Sequence, residues 1–154
     1  MTTVADTTIA GAVNVCSEMF SSIDTRNWDV FEHCLADTVT TDFSGLWGGE
    51  PELHAAPALR ESWAKLFTGF QATQHLVTNY VGHTTIAGAE LRAAFRASHI
   101  GHDPFGSPVW TLYGTYRIEL VHEDGRWQVA GLHQSPQWGE GNRNIVLLAV
   151  QALG

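Results

Sequence analysis

The chain has 154 residues, which suits one domain with one substantial core, and we take residues 1–154 as a single domain. Its hydrophobic content of 44% and charged content of 16% are those of a globular protein rather than a disordered one. The formal net charge is −8 and no Lys/Arg cluster occurs, so neither a nucleic acid nor a membrane surface is expected as a partner.

The cellular compartment is predicted from three features. The first residues lack the charged start and long apolar core of a signal peptide, and no apolar run approaches the roughly 20 residues of a membrane span. Cys16 and Cys34 are too few for a disulfide framework and fall in predicted helices, where buried thiols are expected. We therefore expect a reduced, cytoplasmic compartment.

Helical spacing of apolar residues marks the first half of the chain. It predicts a helix over 7–23, a short helix over 28–35, a strand over 38–45 that leads into a Gly-rich loop, and a helix over 57–67. Asp24 follows the first helix at the end where the helix dipole disfavours an anion. Such an aspartate either has a function or caps the next helix through the stretch DTRNWD.

Four strand-like runs follow, over 72–87, 90–103, 108–122 and 126–137. The Asp-Gly turn in HEDGR is typical of a hairpin between the last two runs, and the apolar segment over 145–153 is expected to be helical. Helices followed by antiparallel strands predict an α+β domain with the helices on one side of a sheet. A sheet that curls around them leaves a hollow that suits a small-molecule ligand.

Two histidines stand out on these strands. The run over 90–103 carries apolar side chains on alternate positions up to Ala97, and His99 continues that row. A buried histidine needs a partner, so His99 is either a core residue bonded to a backbone carbonyl or part of a pocket wall. His75 opens the preceding strand on the face of Asn79. Antiparallel pairing predicts that His75 and His99 lie at the same end of the sheet, within reach of Asp24 if the first helix crosses the concave face.

This triangle would perform a specific kind of chemistry. A carboxylate bonded to one imidazole nitrogen fixes the tautomer and raises the basicity of the other nitrogen. Such a pair suits proton abstraction beside a carbonyl, followed by loss of water, double-bond migration or ring closure.

No metal or cofactor site is expected. No histidine pair on a predicted element has ligand spacing with a nearby carboxylate, and the chain contains no Gly-rich phosphate loop, GxSxG elbow or CxxC motif. The other histidines look like ordinary surface or loop residues, among them His33, His54, His83 and His122.

Five segments together resemble the SnoaL-like branch of the nuclear-transport-factor-2-like superfamily, and within it the scytalone dehydratases. They are SSIDTRNWDVF, VTTDFSG, TQHLV, RASHIGH and DGRWQVAGLHQSPQWGEGN. The resemblance implies a cone-shaped fold, in which helices pack into a strongly curved, mixed, mostly antiparallel sheet with a deep pocket at its open end. It also implies a homo-oligomer, either a dimer or a trimer.

The resemblance further implies catalytic roles. An aspartate–histidine pair and a second histidine of the dehydratases correspond to Asp24, His99 and His75. His99 is then the base, Asp24 orients it within hydrogen-bond reach or one water away, and His75 donates a proton or a hydrogen bond to the substrate oxygen. Two dehydratase tyrosines that hold a water against the substrate carbonyl correspond to Ile23 and Phe43, which have no hydroxyl.

Tyr116 is a candidate replacement for the missing hydroxyls, because it could reach the pocket from another wall. It shares a strand face with Trp110 and Ile118, and half-buried packing is the alternative interpretation. Aromatic side chains and one amide are expected to bind the substrate. These predicted substrate-binding residues are Phe43, Trp47, Asn79, Trp110 and Trp138.

Two classes of function stay open. The first is a cofactor-free lyase or isomerase that acts on a small polyketide-like or other cyclic carbonyl compound. The second is a non-catalytic ligand-binding or assembly module, because this fold serves many functions. The loss of both tyrosines favours the module, whereas the retained Asp24, His99 and His75 favour the enzyme, which we take as the main hypothesis.

Overall fold

The computed structural model describes residues 7–153, where five helices and six strands form one layer of helices on one sheet. The helices are α1 (Ile9–Asp24), α2 (Trp28–His33), α3 (Ser44–Trp47), α4 (Ala56–Phe67) and α5 (Asn144–Gln151). The strands are β1 (Leu35–Asp42), β2 (Glu52–Ala55), β3 (Ala72–Thr84), β4 (Gly88–Ile100), β5 (Val109–Glu123) and β6 (Arg126–Gly141).

The sheet is mixed and mostly antiparallel, with the strand order β2-β1-β6-β5-β4-β3. Only β1 and β6 run parallel, because the chain crosses from one edge of the sheet to the other between β2 and β3. Register shifts interrupt the pairing of β3 with β4 and of β5 with β6. Such bulges increase the local twist and bend a strand, so the sheet curves around the helices, as the cone implied by the family resemblance requires.

Helix α1 lies across the inner face of this sheet and packs mainly on β3. Thr8 caps its first turn, and its buried face repeats at helical spacing through Cys16, Met19 and Ile23. The helix ends at Asp24, directly over the start of β3. The side chain that caps α2 is Asn27, whose Oδ1 accepts a hydrogen bond from the backbone N–H of Val30 at 3.3 Å. Asp24 is therefore not the cap of the second helix.

The inner face of β4 carries the apolar row that the sequence predicted. Leu91, Ala93, Phe95 and Ala97 are all buried, and His99 continues the same row toward the end of the strand. This row packs in the core with the buried face of α1 and with the inward side chains of β5. His99 therefore stands where the core gives way to a cavity.

Most of the predicted elements are confirmed, with ends displaced by a few residues. Two short elements were not predicted, α3 and β2, which have four residues each. Four residues are too few for a helical or alternating pattern to emerge from a single sequence. This omission matters, because β2 forms one edge of the sheet and contributes to the cavity wall.

Both cysteines are free and buried, as the sequence predicted. Burial raises the pKa of each thiol, Cys16 and Cys34, to about 12, so neither is a reactive thiolate at neutral pH. Within residues 7–153, no helix combines the length and the apolar character needed to cross a membrane.

Candidate functional site

A cavity of about 440 Å³ opens between the inner face of the sheet and helices α3, α4 and α5. Most of its wall is apolar, and much of it is aromatic. These side chains include Phe20, Ile23, Phe43, Leu59, Trp63, Leu66, Phe67, Phe70 and Trp110. The polar side chains of the wall include His75, His99, Tyr116 and Gln134 on β3 to β6, and Thr41, Glu50, Glu52 and His54 on or beside β1 and β2.

Asp24 binds His75 from behind the cavity wall. Its Oδ1 lies 2.7 Å from Nδ1 of His75, and its Oδ2 accepts a hydrogen bond from the backbone N–H of the same residue, also at 2.7 Å. The His75 side chain is only 8% exposed, and that of Asp24 is 19% exposed. A carboxylate partner favours the tautomer with the proton on Nδ1, which leaves Nε2 of His75 free to accept one.

Further contacts hold Asp24 in its ionised form. Thr73 donates its hydroxyl hydrogen to Oδ1 of Asp24 at 3.0 Å, and Arg26 donates to the oxygen of the same threonine at 2.9 Å. Burial alone would raise the pKa of Asp24, but the hydrogen bonds from His75 and Thr73 together with the His75 charge outweigh it, and the pKa lies below its usual value. The carboxylate is therefore fixed in position and charge.

The direct hydrogen bonds of Asp24 go to His75 and Thr73 rather than to His99, so the direct form of the predicted Asp24–His99 pair is not found within residues 7–153. In the register of β3 and β4, Thr73 rather than His75 lies opposite His99, so the carboxylate at the end of α1 meets Thr73 and His75 first. The two histidines do lie at the same end of the sheet, as predicted, with ring centroids 6.1 Å apart.

His99 is held in a neutral state. Burial, and next the charge of His75, lower its pKa from 6.5 to about 4, against weaker opposing effects of the Trp110 backbone and Asp24. Its Nδ1 is shielded from solvent and has no hydrogen-bond partner within residues 7–153. Its ring packs against Phe70 at 5.0 Å between centroids. A neutral imidazole of this kind can form a hydrogen bond with a ligand, but with a pKa of about 4 it is a weak base at neutral pH.

Tyr116 brings a hydroxyl group to the cavity, as the sequence suggested. The side chain is buried, and its ring stacks on Phe95 at 4.3 Å and on Phe20 at 5.1 Å between centroids. Burial raises the pKa of the phenol, so the hydroxyl stays protonated at neutral pH. Its oxygen accepts a hydrogen bond from Nε2 of Gln134 at 3.4 Å, which leaves the hydroxyl hydrogen available to another acceptor.

The predicted substrate-binding residues divide into two groups. Phe43, Trp47 and Trp110 line the cavity, as expected. Asn79 does not, because β3 bulges between Thr78 and Val81 and the asparagine adopts a φ of +58°, which turns its side chain outward.

Trp138 does not line the cavity either. The register of β5 with β6 shifts between Tyr113 and Gly114, and Trp138 points to the outer face, where it stacks on Tyr113 at 4.8 Å between centroids. Its side chain is 54% exposed. The error at Asn79 follows from the assumption of a regular period of two along a strand that contains a bulge, whereas Trp138 lies beyond the predicted end of the last strand.

Sequence reasoning missed many residues of the wall, among them Thr41, His54, Trp63 and Gln134. His54 was not recognised because β2 gave no signal, and the role of Thr41 depends on its contact with His54. Gln134 lies on β6 and donates a hydrogen bond to Tyr116. Trp63 has a signal that could have found it, since it follows Leu59 and precedes Phe67 at helical spacing on α4.

The expected absence of a bound metal stays a prediction. Across residues 7–153, His, Cys, Asp and Glu side chains nowhere gather in a group of three that could hold a metal ion. The polar side chains of the wall can form hydrogen bonds and transfer protons, and its aromatic side chains offer apolar contact.

The neutral state of His99 gives a testable pH dependence. Its pKa is about 4 in the folded chain against an ordinary value of 6.5, so below pH 6.5 the unfolded chain binds a proton that the folded chain does not. This histidine therefore reduces stability as the pH falls from about 6.5 to about 4. We expect an NMR titration of the His99 ring with a midpoint near 4.

The matching variant is His99→Gln, with the exposed residue changed in His83→Gln as its control. In urea unfolding at pH 7 and pH 5, the wild type and the control should lose more stability on acidification than His99→Gln. A His99 midpoint near 6.5, or equal losses in all three proteins, would contradict this description of the site.

Solved structures share this fold at low sequence identity. The Kfla4162 protein from Kribbella flavida is 22% identical with a TM-score of 0.86, over 93% of this chain and 99% of that one. A proposed scytalone dehydratase from Novosphingobium aromaticivorans is 15% identical with a TM-score of 0.73, over 88% and 87%. A hexachlorocyclohexane dehydrochlorinase, LinA type 2, is 13% identical with a TM-score of 0.68, over 87% and 88%.

No functionally curated protein matches the chain significantly. The model of the SnoaL-like domain family matches residues 7–133, which include α1, the Asp24–His75 pair and the strands up to the middle of β6. The helices on a curved, mixed, six-stranded sheet are those of the nuclear-transport-factor-2-like fold. The chain therefore belongs to the SnoaL-like family.

Proposed function

We propose that the protein is a cofactor-free lyase or isomerase of the dehydratase type, in which the Asp24–His75 pair removes a proton beside the carbonyl of a small cyclic substrate. The observation that carries this proposal is the 2.7 Å contact between Nδ1 of His75 and the carboxylate of Asp24 at the wall of an apolar cavity. The base is thus His75, and His99 is its neutral neighbour.

The first step is proton abstraction. Nε2 of His75 takes a proton from the carbon next to the carbonyl, and the electron pair of the broken C–H bond moves into the carbonyl to form an enolate. The imidazole becomes an imidazolium, which the fixed charge of Asp24 stabilises. Since Thr73 and the backbone of His75 already hold this carboxylate, little reorganisation is needed.

The enolate oxygen needs hydrogen-bond donors. Tyr116 is protonated, and Gln134 already donates to its oxygen, so its hydroxyl hydrogen is available to the substrate. Neutral His99 can hold a second substrate oxygen. These groups would replace the hydroxyls that the positions of Ile23 and Phe43 lack.

The second step decides the reaction class. In elimination, the enolate electrons return to form a C=C bond, the C–O bond at the next carbon breaks, and the imidazolium gives its proton to the departing oxygen to form water. In isomerisation, the imidazolium returns the proton to a different carbon. Both outcomes restore His75 to its neutral form, so no co-reactant is consumed.

The aromatic wall supports this chemistry, because it excludes water and strengthens the electrostatic interactions inside the cavity. Two structural neighbours, a proposed scytalone dehydratase and a dehydrochlorinase, are named for elimination reactions. We therefore propose a polyketide-like or other cyclic carbonyl substrate, whose ring would lie against the aromatic lining.

A second candidate function is a non-catalytic ligand-binding module. The observation that favours it is that Ile23 and Phe43 line the cavity without any hydroxyl group. A module of this kind would bind ligands in the same cavity but would not depend on the charge of Asp24.

We also propose that the protein is cytoplasmic and that it self-associates. Free, buried Cys16 and Cys34 agree with a reducing compartment. The outer face of the sheet exposes Trp138 and Leu76 beside the stacked ring of Tyr113. An exposed apolar surface of this kind agrees with a dimer or trimer.

The variant Asp24→Asn tests the main proposal. It keeps the shape of the side chain but removes the charge that stabilises the His75 imidazolium, so the turnover of β-hydroxy cyclic ketones should fall by roughly 10²- to 10⁴-fold. The enone product can be followed by its ultraviolet absorption.

The control for Asp24→Asn is Asp37→Asn, which removes one charge from an exposed site on β1. It should keep wild-type turnover. Equal catalysed turnover in Asp24→Asn and the wild type would reject the Asp24–His75 mechanism. Ligand binding without turnover above background in the wild type would leave the binding module as the function.

The variant Tyr116→Phe tests the role of the hydroxyl. Loss of one donor to the developing oxyanion should lower kcat by about 10²- to 10³-fold, while KM changes little. The stacked ring stays in place, so thermal unfolding should change far less than activity. A loss confined to KM would show that the hydroxyl binds the ground state rather than the enolate.

A further inference from the structure

A second group of polar side chains faces the same cavity from the opposite edge of the sheet. Gln134 on β6, Thr41 on β1, and His54 and Glu52 on β2 lie on three neighbouring strands, and we call them the polar strip. His75 lies on β3, at the other edge. The Asp24–His75 pair and the polar strip therefore bound the cavity at different ends of the sheet.

His54 is in direct contact with two other members of the strip, Thr41 and Glu52. Nε2 of His54 lies 3.0 Å from Oγ1 of Thr41 and 3.4 Å from Oε2 of Glu52. Thr41 is buried, with 6% exposure, and the strand register sets it beside Leu132, two residues before Gln134 on β6. Direct contacts thus join His54, Thr41 and Glu52, and the strand order places Gln134 on the next strand of the same sheet.

The strip has more hydrogen-bond acceptors than donors. Oε1 of Gln134 is shielded from solvent and has no hydrogen-bond partner within residues 7–153. A buried acceptor without a partner is costly, so this atom indicates that a ligand donor completes the site. The carboxylate of Glu52 adds further acceptors, and Glu50 lines the cavity beside it.

The charge of the cavity points in the same direction. The wall carries two glutamates and three histidines, and no Lys or Arg of residues 7–153 lines it. A carboxylate or phosphate on the ligand would have no Lys or Arg side chain in the wall to bind, since Arg143, whose guanidinium lies over the ring of Trp47 at 5.9 Å, is not part of the lining.

We propose that the polar strip of Gln134, Thr41, His54 and Glu52 binds a protonated amine of the ligand. The ligand is then an amine-bearing cyclic compound whose apolar ring lies against the aromatic wall. This inference rests on the proposed function only for the end of the ligand that reacts, which is placed at His75.

Three matched probes test the strip without any turnover. They are 2-naphthylmethylamine, 2-naphthalenemethanol and 2-naphthoic acid, which carry an ammonium, a hydroxyl and a carboxylate on one ring system. By isothermal titration calorimetry at pH 7, we expect the amine to bind about tenfold or more tightly than the alcohol, and the carboxylate to bind most weakly. The preference for the amine should shrink at high salt, because Glu52 is largely exposed.

Two variants locate the preference. Glu52→Gln should bring the amine and the alcohol to within about twofold of each other, whereas Glu61→Gln, an equal loss of charge at an exposed site on α4, should keep the wild-type preference. Thr41→Val should weaken the amine by about three- to tenfold, whereas Thr40→Val, its neighbour on the other face of β1, should not.

The outcomes separate this inference from the proposed function. Equal affinity for amine and alcohol, a tightest-binding carboxylate, or an amine preference that Glu52→Gln leaves unchanged would overturn it. The same titrations of the Asp24→Asn variant should show the same preference for the amine over the alcohol. The test of the amine site is therefore independent of catalysis at His75.

Discussion

The contact between Asp24 and His75 is the interaction on which the site depends. A carboxylate at the end of α1 opposes the helix dipole, and its partial burial disfavours charge further. Hydrogen bonds from Thr73, from the His75 ring and from the His75 backbone offset both costs. The result joins the end of the helix to the start of β3 and fixes the imidazole in the cavity wall.

The rest of the cavity follows from that constraint. Because Asp24 binds His75 directly, its carboxylate raises the pKa of the nearby His99 only weakly, and burial keeps His99 neutral. Tyr116 stays protonated for the same reason, since burial disfavours its anion. A carboxylate–imidazole hydrogen bond beside neutral donors in a mostly apolar cavity is an arrangement suited to moving a single proton.

The fold was largely predictable from the sequence, because long elements carry their own period. The alternation along β4 and the helical spacing of α1 place their buried faces without further information. The site was predictable only in part. The antiparallel pairing of neighbouring strands predicted that His75 and His99 lie close together. Which of them binds Asp24 depends on the β3–β4 register, which no local pattern encodes.

The remaining errors have local causes. The bulge at Asn79 and the register shift before Trp138 each reverse the face of a side chain, and a pattern of strict alternation misses both. His54 stayed unrecognised because its strand has only four residues. Tertiary pairing, rather than local preference, decides all of these positions.

Deuterium exchange measures proton abstraction by His75 without requiring the natural substrate. Loss of the α-proton signal from a panel of cyclic ketones in D₂O can be followed by NMR with the wild type, His75→Asn and His99→Asn. If His75 is the base, we expect catalysed exchange by the wild type, near-background exchange by His75→Asn, and substantial exchange by His99→Asn. Wild-type exchange by His75→Asn, or its complete loss only in His99→Asn, would contradict the assignment of His75 as the base.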